Sequence, residues 1–158
     1  MSESKTNAMR ILDKAKVSYL VHSYDASDGN IDGASVAQKT GMEPSRVYKT
    51  LVTRGSSKAY YVFVLPVLEE LNLKKAAAFV KEKSVEMLHV KDLLSVTGYI
   101  RGGCSPVGMK KQFVTVIDIS AQSMETIYVS GGRIGLQIEI APNDLIDVIH
   151  GRYAEITM

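Results

Sequence analysis

The chain has 158 residues, of which 46% are hydrophobic and 23% are charged, a composition typical of one globular domain that spans residues 1–158 and buries roughly 70% of its unfolded surface. Its single cysteine excludes an internal disulfide, and because no apolar run approaches the roughly 20 residues of a membrane span, we expect a cytoplasmic protein with no membrane partner. The formal charge of +2 is far from the strongly basic balance of a DNA-binding domain, so we expect no DNA partner, and taken alone it argues mildly against RNA.

The N-terminal part of the chain predicts two helices and a strand. Apolar residues at helical spacing over 7–15 predict a helix with Thr6 as its N-cap. Residues 19–24 are β-rich and predict a strand. A short helix is predicted over 34–40 and ends at Gly41, a residue suited to a helix C-terminus.

The middle of the chain predicts a hairpin followed by two more helices. The β-rich runs 47–53 and 59–65 flank a short polar turn, which is typical of a β-hairpin. Asn72 can cap a helix over 73–80, and residues 90–96 resemble another short helix.

The last part of the chain returns to strands, over 114–118, 126–129 and 135–140, before Pro142 opens a final helix. Helices and strands therefore alternate without the regular spacing of βαβ units. This order favours an α/β domain of the mixed α+β type, with a curved or barrel-like sheet, over a doubly wound fold.

Two glycine-rich segments are the most informative local feature: GYIRGGCSPVG at 98–108 and SGGRIG at 130–135. Adjacent glycines let the backbone adopt positive φ and let a ligand approach main-chain N–H groups closely. Ligand binding and tight turns are both open interpretations. Neither segment matches the phosphate-binding P-loop or the dinucleotide fingerprint, so we expect no cofactor.

Few individual side chains are candidates for chemistry. Lys49 stands inside the apolar run 47–52, where burial could make its ammonium an electrostatic clamp, although a lysine on an exposed edge strand is the alternative. Cys104 could be a nucleophile, but nothing near it in sequence would activate it, and a small side chain packed in a turn is the favoured interpretation. The three histidines are scattered, and no metal-binding spacing is present, so we expect no metal.

Six motifs, taken together, closely resemble the YbaK/EbsC family of prolyl-tRNA editing proteins, and in particular its free-standing Cys-tRNA(Pro) deacylases. The resemblance covers nearly the whole chain. The motifs are KTNA at 5–8, YKTLV at 48–52, LNLKKAA at 71–77, VEM at 85–87, TGYIRGGCSPVGMKK at 97–111 and TIYVSGGRIGL at 126–136.

The resemblance implies a compact single domain around a mixed, partly barrel-like sheet with flanking helices, similar to the editing domain of prolyl-tRNA synthetase. It also implies removal of cysteine from mischarged tRNA(Pro). A prolyl pocket cannot exclude cysteine by fit alone, because small apolar differences are worth only about 1–3 kcal/mol. The implied partners are the acceptor end of mischarged tRNA(Pro) and a prolyl-tRNA synthetase that could deliver it.

The resemblance also implies site residues. Lys49 would hold the aminoacyl ester or the terminal phosphate in register. Gly102 would supply a backbone hydrogen-bond donor, and Ser130 would supply a hydroxyl near the reacting group. The nucleophile would be the substrate's own thiol, which would attack its ester. The further residues implied for substrate binding are Tyr24, Thr50, Gly103, Ser105, Gly131 and Arg133. The residues expected to contact tRNA phosphates are Arg46, Arg101, Lys110 and Lys111.

Three positions depart from the family pattern. Cys104 stands where the family commonly has an apolar residue, which supports a packing role. Arg101 stands where the family often has a small apolar residue, and Gln137 stands where some relatives have an aspartate.

Two alternative functions stay open. One is a deacylase of the same superfamily that acts on alanyl-tRNA(Pro) through water, and the other is a non-catalytic module that binds aminoacyl-tRNA or a synthetase.

The near-neutral total charge conceals an uneven distribution. Residues 44–68 and 93–117 together carry seven basic residues and no acidic one. We expect a local positive potential around the motifs, suited to brief, salt-sensitive contact with a tRNA acceptor end.

Overall fold

The computed structural model describes residues 5–158 as five α-helices, two 3₁₀-helices and eight strands. The α-helices are α1 (Asn7–Lys14), α2 (Gly33–Thr40), α3 (Leu73–Val80), α4 (Val90–Thr97) and α5 (Pro142–Ile149). The 3₁₀-helices are Pro44–Arg46 and Ile119–Ser123. The strands are β1 (Tyr19–Ser23), β2 (Tyr48–Gly55), β3 (Tyr60–Pro66), β4 (Val85–Met87), β5 (Val114–Asp118), β6 (Ile127–Ser130), β7 (Leu136–Ile140) and β8 (Arg152–Ala154).

The strands form two sheets. The larger has the order β4-β2-β3-β5-β8, antiparallel on the β2 side and parallel where β5 joins β3 and β8. The smaller, β1-β7-β6, is antiparallel. An isolated parallel bridge between Val47 and Tyr128 links the two sheets. The predicted mixed α+β fold is confirmed, but the barrel-like sheet is corrected to two open sheets that meet at this bridge.

The main core lies between the sheets and is closed by two helices. Val62 of β3 and Ile138 of β7 pack there with Leu12 of α1 and Leu145 of α5. On its other face, the larger sheet is covered by α3, where Phe63 belongs to a second apolar cluster. Burial on both faces explains why β3 reads as a continuous apolar run rather than an alternating one.

The N-terminal helix is tied to the second glycine-rich segment through one side chain. The Thr6 hydroxyl accepts from the Met9 N–H (3.2 Å), which is the predicted N-cap, and donates to the Gly131 carbonyl (2.6 Å). Within residues 5–158 no helix has the length and apolar character to cross a bilayer.

Candidate active site

A cavity of about 190 Å³ lies beside the bridge that links the two sheets. It brings together segments that are far apart in sequence: β2, the chain after β1, the start of α2, β7 and both glycine-rich segments. Its polar lining residues are Tyr24, Lys49, Thr50, Arg101, Ser130 and Gln137. Its apolar walls include Ile31, Val36, Val47 and Val67.

Lys49 is partly buried in this cavity. It lies on β2 opposite Leu65 of β3. Burial lowers the pKa of its ammonium, and the charges of Glu70 and Glu69 oppose that shift. The ion pairs found within residues 5–158 do not include Lys49. The cavity therefore presents a partly desolvated cation to whatever enters it.

Three buried oxygens in the same cavity have no hydrogen-bond partner. They are the Tyr24 hydroxyl, the Thr50 Oγ1 and the Gln137 Oε1. Within the part of the chain that the structure describes, no other buried side-chain N or O atom lacks a partner. Because native interiors pair nearly all buried polar groups, three such oxygens in one cavity indicate a site for a polar ligand.

The two glycine-rich segments touch at the cavity wall. Gly102 has φ +86°, and a Cβ there would lie 2.6 Å from Cδ1 of Ile31. A Cβ on Gly103 would lie 3.0 Å from the Ile134 nitrogen and 3.2 Å from the Arg133 carbonyl carbon. Both segments contain turns, and both line the cavity, the first through Gly102 and the second through Ser130.

We expect Gly103→Ala to lower both stability and activity. The new methyl group would press on the backbone of the other segment, which cannot yield as a flexible side chain can, at a cost of about 1–3 kcal/mol in unfolding free energy. Chemical denaturation measures the change in stability, and the catalytic rate measures the change in activity. Gly29→Ala is the control, because a Cβ there meets nothing within 4 Å and only its φ of +79° is strained. A Gly103→Ala protein as stable and active as the wild type contradicts this packing.

Several predicted binding residues lie behind the cavity rather than in its lining. Gly103 donates its N–H to the Ile100 carbonyl (3.0 Å), and the fully buried Ser105 hydroxyl accepts from the Val107 N–H (3.2 Å). Gly131 is held by Thr6. The Arg133 side chain is not part of the lining. These four residues shape the loops that form the wall.

Of the four basic residues predicted to contact phosphates, the structure brings Arg101 to the cavity, where it is exposed. Arg46 donates from Nε to the Thr126 carbonyl (3.1 Å), lies 3.5 Å from a Glu139 oxygen and stacks over the Tyr128 ring at 5.0 Å. That network fixes Arg46 beside the smaller sheet.

The other two, Lys110 and Lys111, line a different cavity, formed with α5, that shares no residue with the one around Lys49. Lys110 also donates to the Ser95 carbonyl (3.2 Å).

Sequence reasoning missed part of the cavity. Gln137 was noted only as a departure from the family, yet it is buried and lines the cavity. Ile31 also lines the cavity, and the available signal for it is that Ile31 is the one large apolar residue in the polar run DASDGNID at 25–32. Among residues 5–158, no group of three or more His, Cys, Asp or Glu side chains is placed to hold a metal ion.

Cys104 lines the cavity but is a poor nucleophile. Burial raises the pKa of its thiol to about 11, with a hydrogen bond from Thr97 acting in the opposite direction. At neutral pH the group is therefore the protonated thiol, which is not the reactive form. We expect Cys104→Ala to keep close to the wild-type activity. If Cys104→Ala loses activity while its circular dichroism spectrum is unchanged, the Cys104 thiol is again a candidate nucleophile.

Residues 32–148 match the family model of the aminoacyl-tRNA editing domain. The chain is 47% identical over 156 residues to EbsC of Enterococcus faecalis, which is named as a candidate Cys-tRNA(Pro)/Cys-tRNA(Cys) deacylase; the match covers 99% of this chain and 95% of EbsC. A stretch of 96 residues, 61% of this chain, is 30% identical to the proline–tRNA ligase of Thermosipho melanesiensis and covers 17% of that enzyme.

Solved structures share the fold across the whole chain. Hypothetical protein APE2540 superposes with a TM-score of 0.88 at 21% identity, covering 97% of this chain and 100% of that protein. A candidate trans-editing enzyme for prolyl-tRNA synthetase superposes with a TM-score of 0.83 at 20% identity, covering 99% of both chains.

Proposed function

Because the chain belongs to the aminoacyl-tRNA editing domain family, we propose that it is a free-standing enzyme that removes cysteine from mischarged tRNA(Pro). The proposal takes the substrate named for EbsC, to which 99% of this chain aligns at 47% identity. It places the aminoacyl group in the cavity around Lys49 and the acceptor end of the tRNA at the mouth of that cavity. Translation is cytoplasmic, so the enzyme acts in the cytoplasm.

The observation that carries the proposal is the set of three unpaired buried oxygens beside a partly buried ammonium. An aminoacyl ester supplies the groups that such a set needs. Its α-ammonium donates hydrogen bonds, which the Gln137 Oε1 and the Tyr24 hydroxyl can accept. Its carbonyl oxygen accepts them, and Lys49 and the Thr50 hydroxyl can donate.

The cavity also suits the size of the substrate. At about 190 Å³ it admits a small aminoacyl group, with apolar walls formed by Ile31 and Val36. Cysteine is small enough to enter a prolyl site, and a second site is needed to remove it because discrimination by fit is weak.

In the proposed reaction, the sulfur of the cysteinyl group bonds to the carbonyl carbon of its own ester. The bond from that carbon to the ribose oxygen breaks, and the thiol proton ends on the ribose oxygen. The products are uncharged tRNA and the cyclic thiolactone of cysteine. The nucleophile belongs to the substrate, so the protein's task is to orient the ester and to stabilise the charge that develops on its carbonyl oxygen.

Residues of the cavity and of its mouth perform that task. The Lys49 ammonium stabilises the developing negative charge in a partly desolvated site, where electrostatic interactions are stronger than in water. Gly102 lets the loop backbone approach the ester closely, and the Ser130 hydroxyl lies in the same lining. Arg101, exposed at the mouth, contacts the phosphate next to the terminal ribose.

A prolyl-tRNA synthetase is the partner that would deliver the tRNA. The basic windows 44–68 and 93–117 attract the acceptor end, but a total charge of +2 gives this protein little affinity for RNA on its own. The enzyme would then depend on a synthetase that already holds the mischarged product.

The test is a panel of cysteinyl-, alanyl- and prolyl-tRNA(Pro), with loss of each ester followed over time. We expect the cysteinyl ester to be lost far faster than in buffer and the prolyl ester to be unaffected. Preferred loss of the alanyl ester would assign the enzyme to the water-dependent branch of the superfamily. If no ester is lost faster than in buffer, the proposal is wrong and a non-catalytic binding role takes its place.

A further inference from the structure

An open groove adjoins the Lys49 cavity along β4 and the first turn of α4. It has a volume of about 380 Å³, compared with about 190 Å³ for the cavity itself. The two share one wall, formed by Thr50, Leu51, Arg101, Gly102 and Cys104. A ligand that fills the cavity and extends past Arg101 therefore enters this groove.

The outer wall of the groove is apolar and partly exposed. It consists of Met87, Leu88, Val90 and Leu93, of which Leu88 and Leu93 are half-buried against the main core. Val90 is 61% exposed and Met87 is 44% exposed, so neither contributes much to the core. A contiguous apolar patch with a charged residue at its edge is typical of a ligand-binding surface.

The backbone holds this wall in place. Met87 pairs with Thr53 in the larger sheet, and the Leu88 N–H donates to the Val52 carbonyl (3.0 Å). The groove is therefore a pre-formed surface whose position relative to Lys49 is set by β2, the strand that carries Lys49. A site formed before binding loses little conformational entropy when it is occupied.

We propose that this groove binds the adenine base at the 3′ end of the aminoacyl-tRNA. The inference rests on the proposed function, because it assumes that the aminoacyl ester occupies the Lys49 cavity. The ester is bonded to the terminal ribose, and the base is bonded to the same sugar. The base must then lie one sugar ring away from the ester, and the groove is the space that adjoins the cavity across the shared wall.

The chemistry of the groove fits a base. A base has flat apolar faces, which pack on Leu and Val side chains and against a Met sulfur. The Arg101 guanidinium stands at the shared wall, where the sugar and its 5′ phosphate pass, and can pair with that phosphate. The groove offers no polar side chain on its outer wall, so it holds the base by its face rather than reading its edge.

The test uses a stable substrate analogue, 3′-cysteinylamino-3′-deoxyadenosine, in which an amide replaces the ester, together with the same compound without its base. Titration calorimetry with the intact wild-type chain gives both affinities. We expect removal of the base to weaken binding about tenfold, because the apolar faces of the base are then no longer buried against the groove. Equal affinities for the two compounds, or no binding of the adenosine compound, overturn the proposal.

Variants of the groove locate the effect. In Val90→Ser and in the double variant M87S/V90S, the adenosine compound should bind about as weakly as the base-free compound binds the wild type. Leu20→Ser is the matched control, because Leu20 is 61% exposed on β1 and lies outside the groove. If removal of the base weakens binding by the same factor in M87S/V90S as in the wild type, the base lies elsewhere and the proposal is wrong. Val90 is so exposed that the single variant is expected to fold even if the double variant does not.

The amide compound separates this proposal from the proposed function. It cannot lose an ester, so its affinity does not depend on catalysis. If cysteinyl-tRNA(Pro) is deacylated but removal of the base has no effect on binding, the groove proposal alone is wrong. If the groove variants abolish the effect of the base but no ester in the panel is lost faster than in buffer, the enzymatic function alone is wrong.

Discussion

Lys49→Met should lower the rate of cysteinyl-tRNA(Pro) deacylation by about 10²- to 10³-fold, the loss typical when one preorganised group that stabilises transition-state charge is removed. Methionine keeps much of the length of the side chain but carries no charge. The fold should be unaffected or stabilised. Burial lowers the pKa of Lys49, which means that its charged form is less stable in the folded protein than in the unfolded chain. At pH values below that lowered pKa, replacing the ammonium therefore removes a contribution that destabilises the fold.

The measurements are the single-turnover deacylation rate and the melting temperature of each protein. Lys14→Met is the control, because Lys14 is an exposed lysine on α1 and its loss changes the net charge by the same amount. That variant should deacylate at the wild-type rate. A Lys49→Met protein with wild-type activity would exclude any catalytic role for the ammonium.

Methylation of the substrate's thiol should reduce enzymatic deacylation to the rate in buffer. In the proposed reaction this thiol is the nucleophile, and a thioether sulfur cannot form the thiolactone without losing its methyl group. S-methyl-cysteinyl-tRNA(Pro) and the unmodified cysteinyl ester would be compared at equal concentrations. Mass spectrometry of the released amino acid should detect the thiolactone, or its hydrolysis product, from the unmodified ester alone.

Exclusion of the larger side chain from the cavity would give the same result, so binding must be measured as well. The methylated ester should inhibit deacylation of the cysteinyl ester, which would show that it enters the site. Hydrolysis of the methylated ester at a rate similar to that of the cysteinyl ester would mean that water is the nucleophile and that the sulfur has no chemical role.

Local signals predicted the helices well. Thr6 and Asn72 act as N-caps, as expected, and Asn72 Oδ1 accepts from the N–H groups of Lys74 and Lys75 (both 3.0 Å). Such caps depend on three or four neighbouring residues, so the sequence contains nearly all the information. Two three-residue strands, β4 and β8, were missed. Their strand geometry depends on pairing with β2 and β5, which are distant in sequence.

In the candidate site, too, features that depend on neighbouring residues could be predicted and features that depend on distant residues could not. Lys49 and the first glycine-rich segment were identified from residue type and motif. The family resemblance implies Tyr24 and Thr50 but not Gln137. Local sequence signals could not predict that their three unpaired oxygens lie in one cavity, because these residues come from the chain after β1, from β2 and from β7, and only the meeting of the two sheets brings them together. Ser105 shows the converse. It lies within a matching motif, but the turn directs its hydroxyl to the Val107 N–H, away from the cavity lining.

The double role of Thr6 makes one helix and one wall of the site interdependent. Its hydroxyl caps α1 and holds the Gly131 carbonyl, and a Cβ added to Gly132 would lie 3.3 Å from the Thr6 Cβ. Substitutions at positions 6 and 132 should therefore be non-additive in stability. Across related sequences the two positions should covary, although one belongs to the first helix and the other to a loop near the C-terminal end of the fold.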